Sequence, residues 1–510
     1  MALARVASLA LVGLDAHRIT LEVDIAQGLP AISIVGLPDP VVKEARERIR
    51  SAIRHSGFEF PLSRVTVNLA PAHLRKEGPA FDLPIAIGLL IASGQLRPAW
   101  LEEAVYLGEL GLDGAVRPIH GILPLALALA RRNTAPLILS PENAHEAAVV
   151  PELTIYAAPH LRALAALLQQ PNGHAPQPST AIRWEAAAMT NVDFAEVKGQ
   201  AHAKRALEIA AAGGHHVLLV GPPGSGKTML AQRLPMILPR LTLHESLEAS
   251  SLHSLAGLLS PERPLLTARP IRAPHHTASA VAIIGGGTHP RPGEISLAHR
   301  GVLFLDELPE FHRDVLEALR QPLEEGRVVV ARASRAVAFP ARFLFVGAMN
   351  PCPCGYATDP KQACHCTPYQ IRRYLTKLSG PLWDRVDLHV EVPALSVTQL
   401  FEEQPSESSA TIQARVEAAR ARQRRRLAKD RLTCNAQMRS RQLKRDCHLS
   451  SEAVALLKQA SQQLRWSARA HDKMFKVART IADLAGAAEI SREHLSEALQ
   501  YRSLDRNLWA

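Results

Sequence analysis

Aromatic residues are scarce: Phe, Trp and Tyr together make up 4% of the 510 positions. Proteins that hold single strands of nucleic acid by stacking bases need rows of exposed rings, and no such platform is evident. No uncharged apolar run reaches about 18 residues, so no helical membrane span is expected. The N-terminus lacks a basic stretch followed by an apolar core and a cleavage site; no secretory leader is expected, and the cytoplasm is the default location. Cysteines number six, and in that compartment they are not expected to pair as disulfides. Long polar low-complexity segments and internal repeats are also missing. An apolar content of 47% supports packed cores, and the length suggests about three domains.

What the chain has in excess is positive charge, unevenly placed. Residues 1–175 hold 15 Lys and Arg against 16 Asp and Glu, and residues 176–410 hold 23 against 22. Residues 411–510 hold 21 against 10, so the net charge of +11 sits in the last hundred positions. Within 415–445 there are 12 basic and 2 acidic residues, among them Arg422, Arg424, Arg425 and Arg426. A block this dense suits a phosphate backbone; the alternative is a solvated helical face. With so few rings, tracking the backbone fits better than reading bases.

The most specific local signal is Gly221, Pro222, Pro223, Gly224, Ser225, Gly226, Lys227 and Thr228, directly after the apolar run 217–220. This is the G-x-x-x-x-G-K-[ST] phosphate loop between a strand and a helix. Backbone N–H groups there surround phosphate oxygens, Lys227 reaches the β/γ-phosphates of ATP, and the Thr228 hydroxyl ligates Mg²⁺. A second apolar strand, 301–305, ends in Asp306 and Glu307. Beside a phosphate loop, Asp306 suits the metal and Glu307 suits polarisation of the attacking water; the alternative is that the two acids cap the next helix. A third strand, 342–349, ends in Asn350, a candidate to orient that water.

Breaks rich in Pro, Gly and polar residues fall at 171–179 and 402–409. They predict an N-terminal domain over 1–170, a linker over 171–190, a nucleotide-binding core over 191–395, a linker over 396–410 and a basic helical domain over 411–510. In that last domain one Arg/Ala-rich helix is expected over 411–432. Three more are expected over 450–463, 468–488 and 491–501, the last capped by Ser491.

Residues 270–279 (Pro270 through His275, His276 and Ser279), the triplet 285–287 and the run 292–299 lead into the acidic strand. This pattern resembles the magnesium-chelatase-type branch of AAA+ ATPases, and within it the ComM (YifB-like) family, over nearly the whole chain. The fold so implied is α/β: a P-loop AAA+ core with a parallel sheet, an N-terminal α+β Lon/S5-like domain and a C-terminal helical lid. The resemblance implies a ring hexamer. Arg385, in Gly380–Asp387, would be an arginine finger acting on a neighbouring subunit. Arg469, at the start of a lid helix, would be the second sensor arginine; each could instead serve a structural ion pair. The hairpin expected over 327–339 would face a central channel, with Arg332 and Arg335 gripping DNA. His275 and His276 would either contact DNA or pack.

Cys352, Cys354, Cys364 and Cys366 form two C-x-C pairs directly after Asn350, in a Cys-rich insertion over 351–367. Four thiolates suit tetrahedral Zn²⁺, with His365 as an alternative ligand and free or redox-active thiols as alternative readings. In the N-terminal domain Lys76 to Ala80 resembles the Lon run that carries the nucleophilic serine, but that position is Ala80. The position of the Lon lysine corresponds to Leu123. Without the dyad no peptide hydrolysis is expected.

Three functions follow. The first, implied by the resemblance, is a DNA motor that drives branch migration in recombination during natural transformation, with recombination proteins as possible partners. The second is a magnesium-chelatase motor subunit, and the third an ATP-dependent protein remodeller.

Overall fold

The computed structural model describes residues 3–100, 103–132, 135–170, 175–180, 192–287, 290–332, 335–359, 361–395, 407–464 and 468–502. The chain forms two compact units, Met1–Trp184 with Leu247–Leu266, and Glu185–Ser246 with Thr267–Ala510. Most of the two expected linkers, at 171–174, 181–191 and 396–406, lies outside the described residues.

The first unit is built on a seven-stranded sheet. Its strand order is Ala31–Val35, Arg64–Ala70, Asp15–Ala26, Leu3–Val12, Val105–Tyr106, Leu137–Leu139 and Ile155–Ala157. Alternation fixes its inner face: Ile19, Leu21 and Val23 on one strand and Val65, Val67 and Leu69 on the next are buried. Against it lies the helix Pro40–His55, whose first turn is capped by Asp39 accepting from the Val42 N–H at 2.8 Å. The helix Asp82–Ala92 is apolar all round and buried nearly throughout, as a central helix must be. Ala80 and Leu123, the two departures from the Lon dyad, pack in one apolar cluster.

The second unit holds a five-stranded parallel sheet in the order Ile271–Arg272, Val302–Leu305, Leu344–Met349, Val217–Val220 and Leu388–Glu391. The three middle strands are buried at every position, which is why they read as unbroken apolar runs. The helix Ser409–Leu427 buries Ile412, Val416, Ala419, Gln423 and Leu427, a stripe at helical spacing. It ends five residues before the expected position 432. The chain leaves it through a short turn, Ala428–Asp430, into Arg431 at φ 55°, a left-handed residue that terminates helices. Helices Ser440–Asp446, Ser451–Leu464, Ala468–Leu484 and Arg492–Gln500 complete the lid, the last capped by Ser491. Apolar lid residues such as Val416, Val477 and Ile481 pack in the same core cluster as Val217 and Leu219. Among the described residues no helix is long and apolar enough to cross a membrane.

Candidate nucleotide site

The strand Val217–Val220 is an inner strand of its sheet, and the loop 221–226 carries the chain from its C-terminal end into the helix Lys227–Ile237. Open parallel sheets bind ligands at that end. Two glycines are required by the backbone. Gly221 faces the Val392 carbonyl with no room for a Cβ, and Gly226 caps the helix at φ 91°. The Lys227 ammonium donates to the carbonyls of Gly221 (2.7 Å) and Pro222 (2.8 Å) and to Asn350 Oδ1 (3.2 Å). Burial lowers its pKa. Thr228 Oγ1 donates to Asp306 Oδ2 at 2.6 Å. The phosphate loop, the acid of the second strand and the polar end of the third therefore converge. A hydroxyl beside a carboxylate is a hard-oxygen pair that fits Mg²⁺, and an ammonium held by exchangeable carbonyls fits phosphate oxygens.

Glu307 sits at φ 50° and projects beside Asp306, and its carboxylate meets His276 Nδ1 at 3.1 Å. His276 stacks near His275, with ring centroids 4.1 Å apart. Sequence reasoning left the role of His276 open; the structure places it on the candidate base.

The chain aligns over its full length with the competence protein ComM of Haemophilus influenzae, at 46% identity over 515 residues, covering 100% of this chain and 99% of the relative. It belongs to the ComM (YifB-like) family of magnesium-chelatase-type AAA+ ATPases. YifB of Escherichia coli matches at 46% over 514 residues, 100% of this chain and 98% of the relative. The 38 kDa magnesium-chelatase subunit of Rhodobacter capsulatus matches at 28% over 176 residues, 31% of this chain and half of the relative. Family models agree: magnesium chelatase subunit ChlI over residues 193–400, a second ChlI model over 21–143, and the ChlI C-terminal model over 406–502.

In this AAA+ ATPase the candidate arginine finger and the candidate sensor arginine meet on one carboxylate. Arg385 pairs with Glu324 and donates to the Pro381 carbonyl at 2.7 Å. Arg469, mostly exposed, lies 3.7 Å from the other oxygen of Glu324. Their bonds run to Glu324 rather than to the phosphate loop. Asp387, two residues beyond Arg385, is buried between Lys473 (2.9 Å), His215 (3.4 Å) and the His216 N–H (3.2 Å). Burial alone would raise its pKa, but Lys473 and the histidines hold it well below the carboxylate range.

The four cysteine sulfurs lie within 4.8 Å of one another. Cys352 is 3.3 Å from Cys354 and 3.6 Å from Cys364, and Cys354 is 3.5 Å from Cys364. Zinc–sulfur bonds of ~2.3 Å in a tetrahedron require sulfurs about 3.8 Å apart, so the cluster fits the metal. His365 is not part of the group. Backbone N–H groups of Tyr356 and His365 lower the Cys354 thiol, which favours a thiolate there, while burial pushes the neighbouring Cys352 thiol up. The insertion also touches the phosphate loop: a Cβ on Gly355 would stand 2.6 Å from Pro223 Cδ.

The basic block divides. Arg426 is bound by Asp483 at 2.6 and 2.8 Å and by Asn435 at 2.8 Å, and Arg422 donates to the Asp483 carbonyl at 2.8 Å. Arg426 is half-buried and committed to that network, whereas Arg422, tied through one nitrogen only, is exposed like Arg424 and Arg425. The expected hairpin forms as Arg327–Arg332 against Arg335–Pro340. Arg332 and Arg335 pair across it at the backbone, but their side chains and the tip at 333–334 lie outside the described residues.

Proposed function

We propose that this protein is a hexameric, cytoplasmic DNA motor that couples ATP hydrolysis to branch migration during recombination of incoming DNA. The observation that carries the reading is the match over the entire chain to a competence protein, joined to the convergence of Lys227, Thr228, Asp306 and Asn350 in the second unit. Lys227 and the loop amides bind the triphosphate, and Thr228 with Asp306 would hold Mg²⁺, whose chemistry is to neutralise developing phosphate charge. Glu307 takes the proton of the attacking water while His276 fixes its carboxylate, and Asn350 orients that water. Arg385 leaves Glu324 for the γ-phosphate bound by the adjacent subunit, and Arg469, released from the same carboxylate, contacts nucleotide as the lid closes. The hairpin 327–340 and the exposed lid arginines contact DNA. A magnesium-chelatase role is disfavoured because that relative matches only 31% of the chain. The first unit is a non-proteolytic module, with Ala80 and Leu123 where a serine and a lysine would be needed.

The test is ATP turnover with and without four-way-junction DNA at modest salt, beside Glu307→Gln, followed by a branch-migration assay. Stimulation and strand exchange in the wild type alone are expected. Turnover indifferent to every DNA structure would sink the motor reading.

A further inference from the structure

A cleft of about 830 Å³ opens in the second unit where its parallel strands begin. His216, Gly301 and Phe343, which line it, immediately precede the strands Val217–Val220, Val302–Leu305 and Leu344–Met349. The phosphate loop leaves the opposite ends of those strands, so the cleft is not the ATP site. Lid residues between Arg420 and Gln442 form much of the facing wall.

Its charge does not balance. Four acidic side chains line it, and each is already engaged. Asp430 is held by Arg445 at 2.8 Å, Glu325 by Arg327 at 2.9 Å, and Glu324 by Arg385 and Arg469. Glu245 is shared by Arg269 at 3.0 Å and Arg300 at 3.6 Å. Against them, Arg342, Arg420, Arg424, Arg431, Arg439 and Lys476 line the cleft and pair with no carboxylate among the described residues. Among the described residues Arg420 and Lys476 donate only to carbonyls, Arg420 to Ala211 at 3.1 Å and Thr433 at 3.4 Å, and Lys476 to Ala436 at 3.0 Å. The side chains of Arg342, Arg424 and Arg431 are exposed and have no hydrogen-bond partner among the described residues. Burial lowers the pKa of Arg269, and the nearby Arg420 and Arg300 push the same way although Glu245 opposes them. A concave wall with uncompensated cations focuses positive potential, and guanidinium groups on two sides of a gap suit phosphate oxygens.

We propose that this cleft is a second phosphate site, separate from the phosphate loop, which takes two or more phosphate groups of a DNA backbone or of a free polyphosphate. The DNA source rests on the motor reading above; the phosphate site itself does not. Because core and lid each supply a wall, a phosphate chain bound here would bridge them.

The experiment uses the full chain carrying Lys227→Ala, which empties the phosphate loop. Inorganic tripolyphosphate is titrated by calorimetry and a labelled single-stranded oligonucleotide by anisotropy, the latter between about 50 and 200 mM salt. Both are repeated with Arg342→Glu and Arg424→Glu together, and with the milder Arg342→Gln and Arg424→Gln pair in case charge reversal disturbs folding. The reversal is expected to weaken the bound ligand at least tenfold and, for DNA, to lower the salt slope by about 1.4, the loss of two single-strand phosphate contacts. In a chain with an intact phosphate loop, the same pair should leave ATP affinity unchanged. Sensitive binding of DNA identifies the backbone as the source. Sensitive binding of tripolyphosphate with no binding of DNA keeps the site and removes the motor reading. Binding of either ligand that ignores both substitution pairs, or binding of neither, overturns the site.

Discussion

At the scale of single residues, catalysis depends on where a few oxygens and one ammonium are held. Glu307 is placed by a left-handed backbone and by His276, so its carboxylate is aimed rather than free. Glu307→Gln should bind ATP with near-normal affinity and lower kcat by about 10² to 10⁴, the usual worth of a general base. Fluorescent-nucleotide binding and phosphate release measured on one preparation check this; full turnover would move the base elsewhere. His276→Ala should lower kcat by about tenfold with little change in KM, since its contact is with the proposed base Glu307 and, among the described residues, none runs to the phosphate loop. An equal change in KM would make it a binding residue instead. The phosphate loop, Asp306 and Asn350 were legible in the sequence because each is a local motif, a strand running into a fixed polar residue. The bond from His276 to Glu307 was not, since it joins a loop to a strand end and neither residue type announces its partner. Glu324 was missed for the same reason: nothing local marks a carboxylate that two distant arginines will share.

At the scale of elements, the cysteine insertion and the basic lid helix show different degrees of legibility. Spacing alone revealed four thiols fit for one metal, and the structure brings their sulfurs together. Spacing could not reveal that Gly355, inside the same loop, packs on Pro223. Replacing Cys364 and Cys366 by Ser should therefore remove about one equivalent of zinc and weaken ATP binding several-fold, because the loop that buttresses the phosphate loop loses its anchor. Metal analysis and nucleotide titration read the two effects separately. Zinc loss without a change in ATP affinity would confine the metal to local folding. The helix Ser409–Leu427 was legible in its apolar stripe, but its arginines were read as one surface. Helical geometry splits them: Arg422 and Arg426 turn to Asp483, while Arg424 faces the cleft. Asp483 also binds Arg479 at 3.0 Å and Asn435 at 2.8 Å and is almost fully buried. Asp483→Ala should cost about 3–5 kcal/mol by stranding buried guanidinium groups, whereas Arg424→Ala should stay within about 0.5 kcal/mol. Denaturant melts of the two variants make the comparison. Similar costs would return Arg424 to the structural set.

At the scale of the whole molecule, the division into two compact units gives pH two separate handles. In the first unit Asp82 is buried at the start of a central helix. Burial raises its pKa to about 6, although Arg48 pairs with it at 2.9 Å. A carboxyl whose folded pKa lies above its unfolded value gives its full stability below the unfolded value and loses it as pH rises through the folded one. From the ordinary 3.8 to about 6 is worth on the order of 3 kcal/mol. In the second unit Asp387 behaves in the opposite sense. Lys473 and His215 overcome its burial and hold its pKa well below 3.8, so its contribution is present above that value and is lost as pH falls through the folded pKa. Calorimetric melts of the full chain between about pH 4 and 7.5 should thus show two transitions whose mutational sensitivities diverge. Relative to Asp82→Asn, the wild-type first unit should lose stability as pH rises across 4 to 6. Relative to Asp387→Asn, the wild-type second unit should keep its advantage across that whole range and lose it only in stronger acid. A single transition in which both substitutions shift with pH in the same direction would mean that the units unfold together, and that neither carboxyl is governed by its own surroundings.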